Sequence, residues 1–184
     1  VRLALRRNLY TGQVAVGKPF ETVQFQAKVT HAAVSADNKW LAVATDDGTL
    51  HIHRRDTLQE MRTIVSGKER LTIHDIQFSP DGDRIAVARD DAVAKVYDTA
   101  KGEEIAAFKG HSGIVFAVAF SPDGKKLVSG GDDNIARIWE ASTGKELATF
   151  KAHIDSVRCV AFDPTGEIPV TGSADKTVKI WQVK

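Results

Sequence analysis

The chain has 184 residues, with 25 Lys and Arg against 24 Asp and Glu, 42% hydrophobic residues, 14 Gly and one Cys. A net charge of +1 lacks the basic excess of a nucleic-acid binder, and a lone Cys159 excludes internal disulfides and Cys-rich zinc modules. The longest apolar run, residues 114–120, falls far short of the ~20 residues of a membrane helix. The opening VRLALRR has charge but no apolar stretch, so no secretory leader is read there. The missing initiator Met reads as a start inside a longer or processed chain.

Comparing the chain with itself sets the order of elements. Residues 1–24 carry Thr11-Gly12-Gln13, which matches Thr143-Gly144-Lys145, and read as the last two strands of a preceding unit. Residues 25–66 form a degenerate first unit, with VSADN at 34–38 and Asp47 six residues before His53. Residues 67–108 form a second, with FSPDG at 78–82 and Asp91 six before Tyr97. Residues 109–150 form a third, with FSPDG at 120–124 and Asp133 six before Trp139. Residues 151–184 form a fourth, with FDPTG at 162–166 and Asp175 six before Trp181, and stop short of an outer strand. Both landmarks recur at intervals of 44, 42 and 42 residues.

Each unit reads as short β-rich runs bounded by Gly, Pro and Asp, which is the hairpin pattern. Pro80 and Pro122 preset φ for a tight turn, and Gly82 and Gly124 suit its positive-φ exit. No unit holds a long stretch of helical apolar spacing, which excludes an α-solenoid, and a two-sheet sandwich needs no strict period. Four antiparallel strands per ~42 residues describe one blade of a β-propeller. The fold class is all-β.

With Gly110-His111, FSPDG and SGGDDNIARIW in the third unit, and His153, FDPTG and TGSADKTVKIW in the fourth, the chain resembles the WD-repeat propellers. Glu140 and Gln182 replace the Asp of the family's Trp-Asp pair, and Ala152-His153 stands for Gly-His. The second unit keeps Tyr97-Asp98 but has Glu69 at the His offset. The resemblance implies a structural tetrad of His111, Ser129, Asp133 and Trp139, and another of His153, Thr171, Asp175 and Trp181. Val43 and Val87 stand at the Ser/Thr position of the first two units, which are expected to rely on apolar packing.

Ser, His and Asp together invite a hydrolase reading, but a nucleophile site is built once and these sets recur. No G-x-S-x-G elbow accompanies them. The doublets Asp46-Asp47, Asp90-Asp91 and Asp132-Asp133 recur at one turn, so turn chemistry explains them. His51-x-His53 puts two imidazoles on one strand face, half of a metal site, yet no third His or Cys stands nearby and His53 fills its unit's ring position. Gly130-Gly131 opens no helix and makes no phosphate loop. The expectation is no catalytic residue, no metal and no cofactor. Cys159 lies in an apolar strand and reads as a small core residue, compatible with a reducing cytoplasm.

The resemblance also implies two entrance-facing positions per blade. Carried over by spacing, the first gives Thr30, His74, Phe116 and Arg158; the second gives Asp46, Asp90, Asp132 and Ala174. An aromatic, an Arg and several carboxylates make a peptide-docking surface, and three acidic positions against Arg158 favour a partner segment with Lys or Arg. The competing reading has Phe116 packing against a neighbouring blade. Four blades are too few for the family's usual seven, so the ring is read as incomplete, ahead of a two-chain ring of about eight blades or a closed four-blade ring. Open edges predict self-association. Function is then a non-catalytic scaffold docking proteins or peptides on the propeller face, without nucleic-acid or membrane partners. The alternative is an accessory segment of a larger enzyme or signalling protein whose catalytic domain lies elsewhere.

Overall fold

The structure, a computed structural model, describes residues 22–65 and 71–182. The expectation for residues 1–21 and the Glu69 offset lie outside the described residues. Every assigned element is a strand. The first sheet runs β1 (Val29–Val34), β2 (Trp40–Thr45), β3 (Thr49–Arg54) and β4 (Glu60–Val65), in that spatial order. The second runs β5 (Ile73–Phe78), β6 (Arg84–Arg89), β7 (Val93–Asp98) and β8 (Glu104–Lys109). The third runs β9 (Val115–Phe120), β10 (Lys126–Gly131), β11 (Ala136–Glu140) and β12 (Glu146–Phe150). The fourth holds β13 (Val157–Phe162), β14 (Pro169–Ser173) and β15 (Val178–Ile180). All pairings are antiparallel. These are propeller blades in an open set: β1 abuts β5, β5 abuts β9, and β9 abuts β13.

Tight connections follow from three left-handed turn positions in each of the first three blades and two in the fourth, among the described residues. The β1–β2 type of turn exits through Asn38, Gly82, Gly124 and Gly166, all with positive φ. The β2–β3 type uses Gly48, Ala92, Asn134 and Lys176, and the β3–β4 type uses Leu58, Gly102 and Gly144. Glycine meets this demand at no steric cost, while Leu58 and Ala92 hold a conformation that costs L-residues ~1–2 kcal/mol. The buried Ser of the first turn explains the sequence motif. Ser121 Oγ accepts the Lys126 N–H at 2.9 Å and donates to Asp123 at 2.6 Å. Ser35 and Ser79 repeat this arrangement, and in the fourth blade Asp163 accepts the Ile168 N–H directly at 2.9 Å.

The core lies between sheets. Ala86, Ala88, Val96 and Phe108 of the second blade pack against Val118, Phe120, Leu127 and Trp139 of the third. Similar clusters join the first blade to the second and the third to the fourth. Burying one such side chain contributes ~1.5–3 kcal/mol. Gly130 sets the spacing at the third junction, because a Cβ there would come within 2.5 Å of Val157. Polar latches fix the rotation between blades: Arg84 donates to the Gly124 carbonyl at 2.8 Å, and Lys126 to the Gly166 carbonyl at 3.4 Å. Between the second and third blades, Asp75 and Gln77 accept the Val118 and Phe120 N–H groups, covering the free edge of β9.

The fourth blade has an uncovered face. Ile154, Val178 and Ile180 are 85%, 70% and 73% exposed. Cys159 is exposed here too, which corrects its reading as a core residue: β13 carries an apolar pattern, but no further sheet lies over it among the described residues.

Glycine substitutions separate conformational strain from steric collision. At Gly102 (φ 74°) an added Cβ would meet Ile64 at an ordinary 3.5 Å, whereas at Gly144 (φ 75°) it would stand 2.7 Å from the Ala107 carbonyl oxygen. Gly102→Ala should therefore cost about 1–2 kcal/mol, and Gly144→Ala clearly more. Urea denaturation of the two variants measures the difference.

Candidate functional site

Two hydrogen-bond chains run through the third and fourth blades. Trp139 Nε1–H donates to Ser129 Oγ at 2.7 Å, Ser129 Oγ–H donates to His111 Nε2 at 2.8 Å, and His111 Nδ1–H donates to Asp133 at 2.9 Å. In this direction each of the three donors along the chain has an acceptor. Asp133 also receives Arg137 at 2.8 Å and the Ser112 N–H at 3.2 Å. The fourth blade repeats the order: Trp181 to Thr171 at 2.9 Å, Thr171 to His153 at 2.7 Å, and His153 to Asp175 at 2.8 Å. Neither hydroxyl is presented as an open nucleophile, since Ser129 and Thr171 are fully buried.

The first two blades solve the same problem differently. Apolar packing is present, with Val43 and Val87 buried, but each turn Asp still has a polar anchor. Thr45 donates to Asp47 at 2.6 Å, and the buried Arg89 forms a two-pronged bond with Asp91. Arg89 occupies the position of Gly131, where an added Cβ would strike His111 at 2.6 Å. Lacking a His at the family offset, the second blade has room for a guanidinium there. Sequence reasoning missed Arg89; its signal was a long cation where the other units have Thr45, Gly131 and Ser173.

Thr30, His74, Phe116 and Arg158 are the second residues of β1, β5, β9 and β13, and all four lie on bulges. Val29 pairs with Thr45 and His31 with Ala44, leaving Thr30 unpaired; His74, Phe116 and Arg158 are skipped in the same way. A bulge bends the strand and re-aims the extra side chain. Three of these residues meet. The Arg158 guanidinium lies 3.8 Å from the Phe116 ring centre, and the His74 ring meets Phe116 edge-on at 5.4 Å. Phe116 is half-buried between them, so it packs against neighbouring blades and is part of a strip at once. Thr30 instead donates to the Ala44 carbonyl at 3.1 Å.

Burial lowers the His74 pKa against the opposing pull of Asp90. The acidic positions are partly committed to loop closure. Asp46 accepts the Lys28 N–H at 3.0 Å, Asp90 the Thr72 N–H at 3.1 Å, and Asp132 the Ser156 hydroxyl of the next blade at 2.6 Å. Ala174, in the fourth blade, leaves that position without a carboxylate. Three polar atoms here are buried without partners: His31 Nδ1, His74 Nε2 and Asp90 Oδ1. Each such atom costs about 1–3 kcal/mol until something pairs with it.

Comparison with known proteins agrees with this architecture. The model of the WD domain, G-beta repeat, matches residues 102–140 and 144–182. The model of the anaphase-promoting complex subunit 4 WD40 domain matches residues 32–117. Among solved structures, the computationally designed Ika4 protein is similar with a TM-score of 0.76 and 27% identity, over 88% of this chain and 94% of that one.

Burial alone would raise the Asp133 pKa, but the His111 and Arg137 hydrogen bonds outweigh it and hold the carboxyl well below the usual range. The folded value thus lies below the unfolded value of about 3.9, so the stability it contributes is complete above that value and lost as pH falls through the acid range. Thermal midpoints should drop steeply below about pH 4, and Asp133→Asn should be less stable at pH 7 and less sensitive to acid. Ser129→Ala strands both Trp139 and His111 and should cost about 2–4 kcal/mol at neutral pH, read by urea denaturation.

Proposed function

This chain belongs to the WD-repeat β-propellers, and we propose that it is a non-catalytic scaffold that docks a protein or peptide on the strip Arg158–Phe116–His74. WD repeats generally mediate protein–protein interaction, and domains of this kind are typically non-catalytic. The observation that carries the reading is the stacked strip itself: one bulged residue from each of three blades, joined at 3.8 and 5.4 Å. An aromatic and an Arg presented by rigid strands are the side chains that anchor interfaces. Asp46, Asp90 and Asp132 outnumber Arg158, which favours a segment bearing Lys or Arg. The chain also self-associates in this reading, through the apolar face bearing Ile154, Val178 and Ile180.

Peptides selected from a random display library on the purified protein should be enriched in basic residues. Phe116→Ala and Arg158→Ala should each weaken the best of them at least tenfold, about 1.4 kcal/mol, and Arg158→Ala should do so with little change in thermal midpoint. Affinity unchanged in both variants would remove the strip from the interface. Size-exclusion chromatography should show a species larger than the 20.0 kDa chain, shifting toward it in Val178→Asp.

A further inference from the structure

We propose that His51, His53 and Glu60 on the first blade bind a divalent first-row transition-metal ion of the Zn²⁺ class. One ring nitrogen of each histidine and a carboxylate oxygen of Glu60 all lie within 4.8 Å of one another. A tetrahedral ion with bonds of ~2.0–2.1 Å places its ligand atoms about 3.4 Å apart, so small side-chain rotations suffice. The strand geometry assembles the trio. His51 and His53 project from one face of β3, and the slip in register between β3 and β4 skips Met61 and sets Glu60 opposite His53.

His53 supplies the independent reason. Its Nδ1 lies 3.0 Å from the Leu58 carbonyl, which only accepts, so Nδ1 carries the proton and Nε2 the lone pair. That Nε2 is buried and unpartnered, in a residue 3% exposed. A backbone carbonyl fixing one nitrogen while the other is left as a base is the outer-shell arrangement of metal-ligating histidines. The other blades show what a purely structural residue does here. Tyr97 and Trp139 take the equivalent position, and Trp139 donates to Ser129, whereas the first blade has Val43 in place of that hydroxyl. The hydroxyl that takes the ring N–H in the third blade is therefore missing from the first.

The second histidine departs from the repeat in the same direction. Glu104 pairs with Lys95 at 2.6 Å and Glu146 with Arg137 at 3.4 Å, pairs whose permanent cations cannot bind a metal. Glu60 instead meets His51 Nδ1 at 2.6 Å, and an ion entering the site takes the place of that direct bond. Two imidazoles and one carboxylate suit Zn²⁺ and its transition-metal neighbours, not Mg²⁺ or Ca²⁺, which take oxygen ligands. Phe25 covers the imidazoles, its ring 5.0 Å from His51 and 5.6 Å from His53. Glu60, with its side chain 43% exposed, leaves the solvent side open for a fourth ligand.

The test is titration of the untagged, chelator-treated protein with Zn²⁺ by calorimetry and with Co²⁺ by its visible d–d absorption. One ion per chain should bind. His51→Gln and Glu60→Gln, both at partly exposed positions, should each weaken binding by more than the ~10–100-fold lost with an outer-shell partner. His53→Tyr installs the second blade's residue, so it should abolish binding while thermal unfolding shows the fold intact. No saturable uptake by the native chain, or uptake unchanged in any of the three variants, overturns the proposal.

Discussion

A four-stranded sheet with two apolar faces cannot stand alone in water, and this molecule answers that constraint by covering each of the first three sheets with the next. The three core clusters lie between blades rather than within them. Close approach is therefore demanded at every junction, and small residues such as Ala86, Ala88 and Gly130 supply it. The latches from Arg84 and Lys126 follow the same logic, since they bond to backbone carbonyls that only the correct rotation brings within reach.

Within a blade, the polar problem is constant and its solutions vary. The turn Asp must be anchored wherever the second and third strands meet. His111 and His153 do this in the third and fourth blades, Thr45 in the first, and Arg89 in the second. Arg89 stands at the position of Gly131, whose missing Cβ leaves room for the His111 imidazole. A degenerate repeat is in this sense a re-solved one, because the half-buried carboxylates of Asp47 and Asp91 still each receive a side-chain donor.

The fold was legible because its strongest signals are local. The Ser-Pro-Asp-Gly turns, the positive-φ positions and the apolar alternation all act within a few residues, so the period of 44, 42 and 42 exposes them. What depends on contacts across blades was not legible. Cys159 carries the pattern of a core residue, and only the absence of a covering sheet among the described residues makes it exposed. The bulges at Thr30, His74, Phe116 and Arg158 leave no composition signal, since their side chains share no chemistry. Spacing could name those positions without showing that they leave the ladder or that three of them touch. The partner of His51-x-His53 was sought among His and Cys, and Glu60 lies beyond a turn whose register slip no sequence pattern announces.

The recurring bulge at the second residue of each inner strand has a wider meaning. A side chain that takes no part in the strand ladder is uncoupled from the register that holds the blade, so the register places no demand on its identity. Thr, His, Phe and Arg occupy four equivalent sites on one scaffold without altering it. Such sites behave as interchangeable sockets. Diversification can rewrite what this face recognises one residue at a time, while selection for a stable core acts elsewhere.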